Sequence, residues 1–257
     1  MKYGRDNRQA IKHLSGSARA LFDVIEEAEK GEIADVVGLC TALNDNPRFV
    51  FFSCLSGDGK RESLGADLGV LFTSRLRAKA EEFTGKLTAI ESRISPLVIV
   101  DDTEPVRFWK WKTSQEEIST WCEMVVEDSD IPKSWNVRLW SEIEKDWHND
   151  KGSSESQLSY EEFYESRRDE VERSVVYHKL FQHIKMFPNK GLGDMSAKEA
   201  TINKLVQYQF QSLVLGCSVP NAVLIQTETP WEVKDPIFSS PYGKWVKSII
   251  HPFEARR

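Results

Sequence analysis

Short, continuous apolar runs separate longer stretches in which apolar residues recur at helical spacing. Three runs stand out: Phe49-Val50-Phe51-Phe52, Leu97-Val98-Ile99-Val100 and Ala222-Val223-Leu224-Ile225. Each is bounded by turn-forming or polar residues, and none alternates as a half-exposed strand would. That pattern predicts strands buried on both faces, as in a parallel sheet. NDNP at 44–47 is the turn ahead of the first run, and Pro96 precedes the second.

The intervening segments read as helices. In SARALFDVIEEAEKGE, 17–32, apolar positions fall at Leu21, Val24, Ile25 and Ala28, with Gly31 as the stop. IADVVGLCTAL, 33–43, is a second, shorter apolar segment with a helical reading. Residues 66–93 are rich in helix formers and long enough to carry a crossover between the first two strands. Residues 114–128 and 135–150 read as Trp-rich helices, and 160–187 as one long helix ended by Pro188. Ser196 with Glu199 forms a capping-box pattern opening a helix that runs to Leu215. Residues 1–14 are polar and basic and are expected to be loosely ordered, and KGSSESQLS, 151–159, to be a mobile loop. There is no internal repeat and no clean division. The expectation is one α/β domain over 1–257, a parallel sheet flanked by helices.

Each strand is followed by a polar cluster: Ser53 and Ser56; Asp101, Asp102 and Glu104; Gln226 and Glu228. Ligands of open parallel sheets bind outside the carboxyl ends of the strands. Parallel neighbours would gather these clusters into one pocket.

Composition narrows the class. The 257 residues are 40% hydrophobic, enough to bury a substantial core. Eight Trp and 13 Phe argue against a disordered chain. With 34 basic and 40 acidic residues the net charge is -6, which argues against a globally basic nucleic-acid binder and against DNA as a partner, while leaving room for a local basic patch. Cys40, Cys54, Cys122 and Cys217 have no metal-ligand spacing and read as buried thiols of a reducing compartment. The N-terminal sequence has no apolar signal core, and no stretch approaches the roughly 20 apolar residues of a membrane span. The expectation is a cytoplasmic protein with no membrane contact, no metal and no cofactor.

Several constellations carry candidate chemistry. In SCLSGDGKRES, 53–63, the Walker pattern fails: Cys54 stands at the first glycine position and Arg61 at the hydroxyl position. Ser53 or Ser56 at a strand end is either a nucleophile toward a bound ester or a turn serine bonded to its own loop. VDDTEP, 100–105, is either a metal or cation site or a solvated acidic loop. Adjacent aspartates on a strand face opposite ways, which places Asp102 and Glu104 together on one side. On the helix after Ser196, Asn203, Gln207 and Gln211 share one face at four-residue spacing, beside a stripe of Lys204, Tyr208 and Ser212. Uncharged amides beside a tyrosine suit the polar groups of an amino acid, or a face covered by a neighbour. Arg75, Arg77, Lys79, Lys86 and Arg93 outnumber Glu81, Glu82 and Glu91 on one helix, where a phosphate backbone could dock, or which is simply solvated. The histidines give no Ser-His-Asp arrangement.

Taken in order, FVFFS, the basic helix 75–93, LVIVDD, the helix bearing Tyr208 and VPNAVLIQTETP resemble the tRNA-dependent cyclodipeptide synthases over about residues 45–235. Where the familiar bacterial pattern has a glutamate one turn after the tyrosine, this chain has Ser212, and where it has a tyrosine in the last strand, Ile225-Gln226 stands. The chain thus looks more like the divergent fungal branch that makes arginine-containing products. The resemblance implies a Rossmann-like domain akin to class I aminoacyl-tRNA synthetases. It implies Ser53 as the acylated nucleophile, Tyr208 and Glu228 as its catalytic partners, and aminoacyl-tRNAs, one of them arginyl, as substrates. Ser56, Asp101, Asp102, Glu104, Asn203, Gln207, Gln211 and Gln226 would then line the substrate pocket, with Arg75, Arg77, Lys79 and Lys86 on the tRNA. Two other classes fit the residues: a transferase using a nucleotide or sugar nucleotide with a metal at VDDTE, and a non-catalytic binding protein of the same fold.

Overall fold

A computed structural model describes residues 3–29, 33, 35–54, 74–107, 112–127, 131–149, 158–186, 195–225 and 248–250. For 53, 54, 74–77, 183, 186, 248 and 249 it describes the backbone alone. In chain order the elements are helices α1 (Arg5–Lys12), α2 (Gly16–Ala28) and α3 (Val36–Asn44), strand β1 (Arg48–Cys54), helix α4 (Ser74–Ile90) and strand β2 (Leu97–Asp101). Helices α5 (Glu104–Arg107) and α6 (Gln115–Glu127), strand β3 (Asn136–Leu139), and helices α7 (Trp140–Asn149), α8 (Tyr160–Glu172), α9 (Val175–Met186) and α10 (Ala197–Ser218) follow, then strands β4 (Ala222–Ile225) and β5 (Ser248–Ile250).

The sheet is all parallel in the order β3-β2-β1-β4-β5, a Rossmann-like α/β arrangement. Phe51 lies across from Val98 of β2 and from Ile225 of β4, which fixes the three apolar runs as neighbours. Their side chains alternate between two helical layers. Phe49, Phe51, Val98, Val223 and Ile225 meet α2, α3 and α4, while Val50, Ile99 and Leu224 meet α7 to α10. Burial on both faces is why the runs are continuous. Each large apolar side chain so buried contributes roughly 1.5–3 kcal/mol. A smaller cluster of Val100, Ile118, Cys122 and Leu139 packs α6 on the β2–β3 side.

The chain builds outward from β1 through β2 to β3, then returns to the other side of β1 to lay down β4 and β5. The order therefore reverses between β1 and β4, the position where such sheets open a crevice at their carboxyl edge. At the opposite edge the two strands are tied together. Arg48 N donates to Asn221 O at 3.1 Å, and Asn221 Nδ2 donates to the Asp45 backbone carbonyl. Asn221 adopts φ 57 and Asn46 of the NDNP turn φ 56, the left-handed region that asparagine tolerates.

Five sequence expectations need correction. Cys217, read as a buried thiol, is exposed near the end of α10, while Cys40 and Cys122 are buried. Residues 5–12 form α1, which lays Ala10 and Ile11 against the layer of α2 and α3, so this basic segment is a packed helix and not a loose end. The stretch 135–150 begins with strand β3 before α7. Its four residues carry only one fully buried side chain, Leu139, so no apolar run announces it. The helix expected at 160–187 is two. Ser174 gives its hydroxyl to Val171 O at 2.7 Å and accepts Tyr177 N at 3.1 Å, closing α8 and opening α9. Ser159, expected within a mobile loop, caps α8 in a capping box with Glu162; residues 151–157 of that loop lie outside the described residues. The helix expected to start at 66 is described from Ser74.

Candidate functional site at the carboxyl edge

Strand β2 ends in Asp101, where the chain turns into the short helix α5. Asp101 is fully buried and accepts five hydrogen bonds. Its Oδ1 takes Thr103 N at 3.0 Å, Thr103 Oγ1 at 2.8 Å and Glu104 N at 3.1 Å. Its Oδ2 takes Gln207 Nε2 at 2.9 Å and also Gln211 Nε2. The amide stripe foreseen on α10 is thus a buried face docked on the end of β2, with Gln207 and Gln211 one turn apart and both aimed at one carboxylate. Asn203, the third member, lies one turn earlier and donates to Met195 Sδ.

The two neighbouring acids part company. Asp102 faces away from α10: its Oδ2 accepts from Ser119 Oγ and Ser141 Oγ, both at 2.6 Å, and its Oδ1 from Ser141 N at 3.0 Å. Gln115 Nε2 adds a bond to the same residue. Asp102 therefore pins α6 and α7 to the sheet. Glu104 does not join it, contrary to the expectation from strand alternation. The turn after Asp101 swings Glu104 back toward α10, where Lys204 Nζ meets its Oε1 at 2.8 Å. Lys204 also sits 4.8 Å above the ring of the buried Tyr208. Asp101, Glu104, Lys204, Gln207, Tyr208 and Gln211 thus form one constellation, and Asp102 stands outside it.

Burial, and then the neighbouring Glu104, push the Asp101 carboxyl up to about 7 against the Thr103 donors. A group so poised, at the end of a central strand, is a mark of functional sites. Because its pKa is raised on folding, the protonated form stabilises the native state. That contribution is full below about pH 4 and disappears as pH rises through 7. Stability of the wild type should fall between pH 5 and 8 relative to Asp101→Asn, which keeps the Oδ1 acceptor while Gln207 or Gln211 can turn its amide to accept from the new Nδ2. Urea titrations at the two pH values measure this. Parallel curves for both proteins would show that Asp101 does not titrate in that range.

Beside the constellation, Arg107 of α5 makes a two-pronged pair with Glu144 of α7, at 2.7 and 2.8 Å. Its guanidinium also lies 4.7 Å above the ring of Tyr160. Neither residue was singled out in the sequence, because nothing local links positions 37 apart.

Ser53 occupies the next-to-last place in β1, paired with Val100, and Cys54 is paired with Asp101. The strand that carries Ser53 therefore ends beside the strand that carries the Asp101 constellation. Lys79 is half-buried on α4, and exposed Lys86 is 3.0 Å from Glu82. Arg75 and Arg77 lie on the same helix. The expected site residues Ser56, Gln226 and Glu228 fall outside the described residues. Among the described residues no three His, Cys, Asp or Glu side chains converge as metal ligands, and no helix is long and apolar enough to cross a membrane. No family model, no curated protein and no solved structure matches this chain.

Proposed function

We propose that the protein is a tRNA-dependent cyclodipeptide synthase. The observation that carries this reading is the position of Ser53. It lies at the carboxyl end of the central strand, beside the point where strand order reverses, and next to the strand end on which α10 is pinned by Gln207 and Gln211. In the reaction, Ser53 Oγ attacks the ester carbon of an aminoacyl-tRNA. The acyl–ribose bond breaks, and the serine proton goes to the departing ribose oxygen. The amine of a second aminoacyl-tRNA then attacks the seryl ester, forming a peptide bond and returning the proton to Ser53. Attack of the free amine of the dipeptidyl-tRNA on its own ester closes a diketopiperazine and releases the second tRNA. Aminoacyl esters are activated already, so this sequence needs neither redox chemistry nor a metal.

In this reading Tyr208 holds the incoming amine or relays its proton, and Glu228 is the candidate base. Arg75, Arg77, Lys79 and Lys86 meet the phosphate backbone. Asp101 and Glu104 contribute to the amino-acid pocket, whereas Asp102 supports it from behind. The test is incubation of the protein with total tRNA charged in situ by all amino acids, followed by mass spectrometry of small molecules. A cyclic dipeptide mass is expected. The absence of any such product and of an acylated protein would remove the reading in favour of a binding protein.

A further inference from the structure

Lysine is seldom withdrawn from water, yet Lys204 is mostly covered. It precedes Tyr208 by four residues on α10, so the two side chains share one face of the helix, a single turn apart. Its Nζ is 2.8 Å from Glu104 Oε1 and 4.8 Å from the centre of the Tyr208 ring. The Lys204 side chain is 19% exposed and that of Glu104 1%. The ammonium is thus caught between a buried carboxylate of α5 and the face of a buried ring on its own helix.

Folding alone gives no reason for a lysine at this position. Taking a carboxylate and an ammonium out of water costs about as much as their attraction returns, and apolar residues of similar volume often serve stability as well. One turn away, α10 docks on the end of β2 with uncharged amides, since Gln207 and Gln211 hold Asp101. A lysine is a point charge on a flexible stem, and becomes a fixed anchor only where that charge is held. Glu104 holds it. Glu104 is set in turn by Asp101, whose Oδ1 accepts the Glu104 N–H at 3.1 Å. Gln207, next to Tyr208 in the chain, returns to the other oxygen of Asp101 at 2.9 Å. A closed circuit from Asp101 through Glu104, Lys204 and α10 therefore ties the Tyr208 ring to the end of β2, beside the strand that carries Ser53.

We infer that Lys204 is a positioning residue for Tyr208: its ammonium, held by Glu104, seats the ring from one face and places positive charge beside the phenol. The seating follows from the contacts; its use in the reaction rests on the proposed function, where Tyr208 serves the second amine. A cation is attracted to the face of an aromatic ring, which narrows the orientations open to Tyr208. It also favours the phenol oxygen whenever that oxygen carries extra negative charge. Such charge develops in the second half-reaction. The amine nitrogen bonds to the acyl carbon and gives its proton to the Tyr208 oxygen, while the Tyr208 hydroxyl proton passes to Ser53 Oγ as the seryl ester breaks. The first half-reaction, acylation of Ser53, has no amine to deprotonate and makes no use of Lys204.

Single-turnover assays of the full chain with charged tRNA separate the two half-reactions. In Lys204→Met the aminoacyl adduct on Ser53 should form within about threefold of the wild-type rate, while its transfer to a second aminoacyl-tRNA slows by about tenfold or more. Lys204→Arg keeps a cation that can pair with Glu104 and lie over the ring, and should restore transfer to within about threefold. Because the effect runs through Tyr208, adding Lys204→Met to Tyr208→Phe should slow transfer by less than about threefold beyond Tyr208→Phe alone. If Lys204→Met fails to fold around a Glu104 that has lost its ammonium, Lys204→Met with Glu104→Gln takes its place, measured against Glu104→Gln. The seating has its own readout. The chain has six tyrosines, and with ring-labelled tyrosine the Tyr208 resonance is the one missing from Tyr208→Phe. It should move in Lys204→Met and return toward its wild-type place in Lys204→Arg. Four kinetic results would each overturn the inference: wild-type transfer in Lys204→Met, an arginine variant as slow as the methionine one, equal slowing of both half-reactions in a folded protein, or losses that multiply with Tyr208→Phe. So would a Tyr208 resonance indifferent to Lys204→Met. A wild type that forms neither adduct nor product removes the synthase reading instead, and the seating of Tyr208 then stands or falls on its resonance.

Discussion

Ser53→Ala should abolish cyclic dipeptide formation, by at least about 10³-fold, while leaving secondary structure and melting temperature unchanged. The size follows from the role. Removing a nucleophile deletes the covalent intermediate. The neutrality toward folding follows from the position, after the apolar run Phe49–Phe52 has ended, where the pairing of β1 with Val100 is made by the backbone. Intact-protein mass spectrometry of the wild type with a charged tRNA should give an adduct of one aminoacyl residue, which maps to the peptide holding Ser53 and is missing from the variant. Ser56→Ala is the comparison: it removes the other candidate hydroxyl of SCLSGDG and should keep the acyl adduct on Ser53, even where a lost substrate contact slows turnover. If instead Ser56→Ala is dead and Ser53→Ala is active, the nucleophile is Ser56. A Ser53→Ala protein that turns over at the wild-type rate would end the covalent mechanism.

The parts of this fold that could be read from the sequence are those where one local signal was strong. Phe49–Phe51, Val98–Val100 and Ala222–Ile225 are buried, as strands covered on both faces require. Ser196 and Glu199 form the reciprocal cap that their spacing announced. Strand β3 escaped because its position beside β2 depends on pairing with Leu97 to Val100, a long-range contact, while its own residues are half polar. Strand β5 has three residues and no flanking pattern. The break at Ser174 is a single hydroxyl in a helix-forming context, where the interruption is decided by packing.

The candidate site was legible as a list of residues and not as a set of pairs. VDDTE and the α10 amides each stood out, yet the bond that unites them spans more than one hundred positions. Alternation along a strand separated Asp101 from Asp102 as expected, but it cannot be extended past the strand's last residue, which is why Glu104 came out on the side of Asp101. The buried acceptors Glu104 Oε2 and Gln207 Oε1, which meet no donor, had no sequence signal, since pairing is a property of the assembled layers.

Glu144→Ala should destabilise the protein by about 3–5 kcal/mol, a large share of the roughly 5–15 kcal/mol that holds a typical domain together. The reason lies in what remains. Arg107 is a mostly buried guanidinium whose two prongs end on Glu144. Without the carboxylate, its charge stays in the layer between α7 and α8, against the rings of Tyr160 and Phe210. Those rings attract the cation but replace neither hydrogen bond. The double variant Arg107→Met with Glu144→Met removes both charges at similar volume and should recover most of the loss, as buried pairs often exchange for apolar residues at little cost. Equilibrium urea unfolding of the three proteins decides the matter. A Glu144→Ala protein within about 1 kcal/mol of the wild type would mean that the pair is solvated and dispensable. The double variant also separates support from chemistry. Arg107 follows VDDTE on α5, so the pair holds the turn that presents Asp101 and Glu104. Restored stability with restored cyclic dipeptide formation assigns the pair to the scaffold; restored stability without it would mean that the turn needs this bridge in order to aim Glu104.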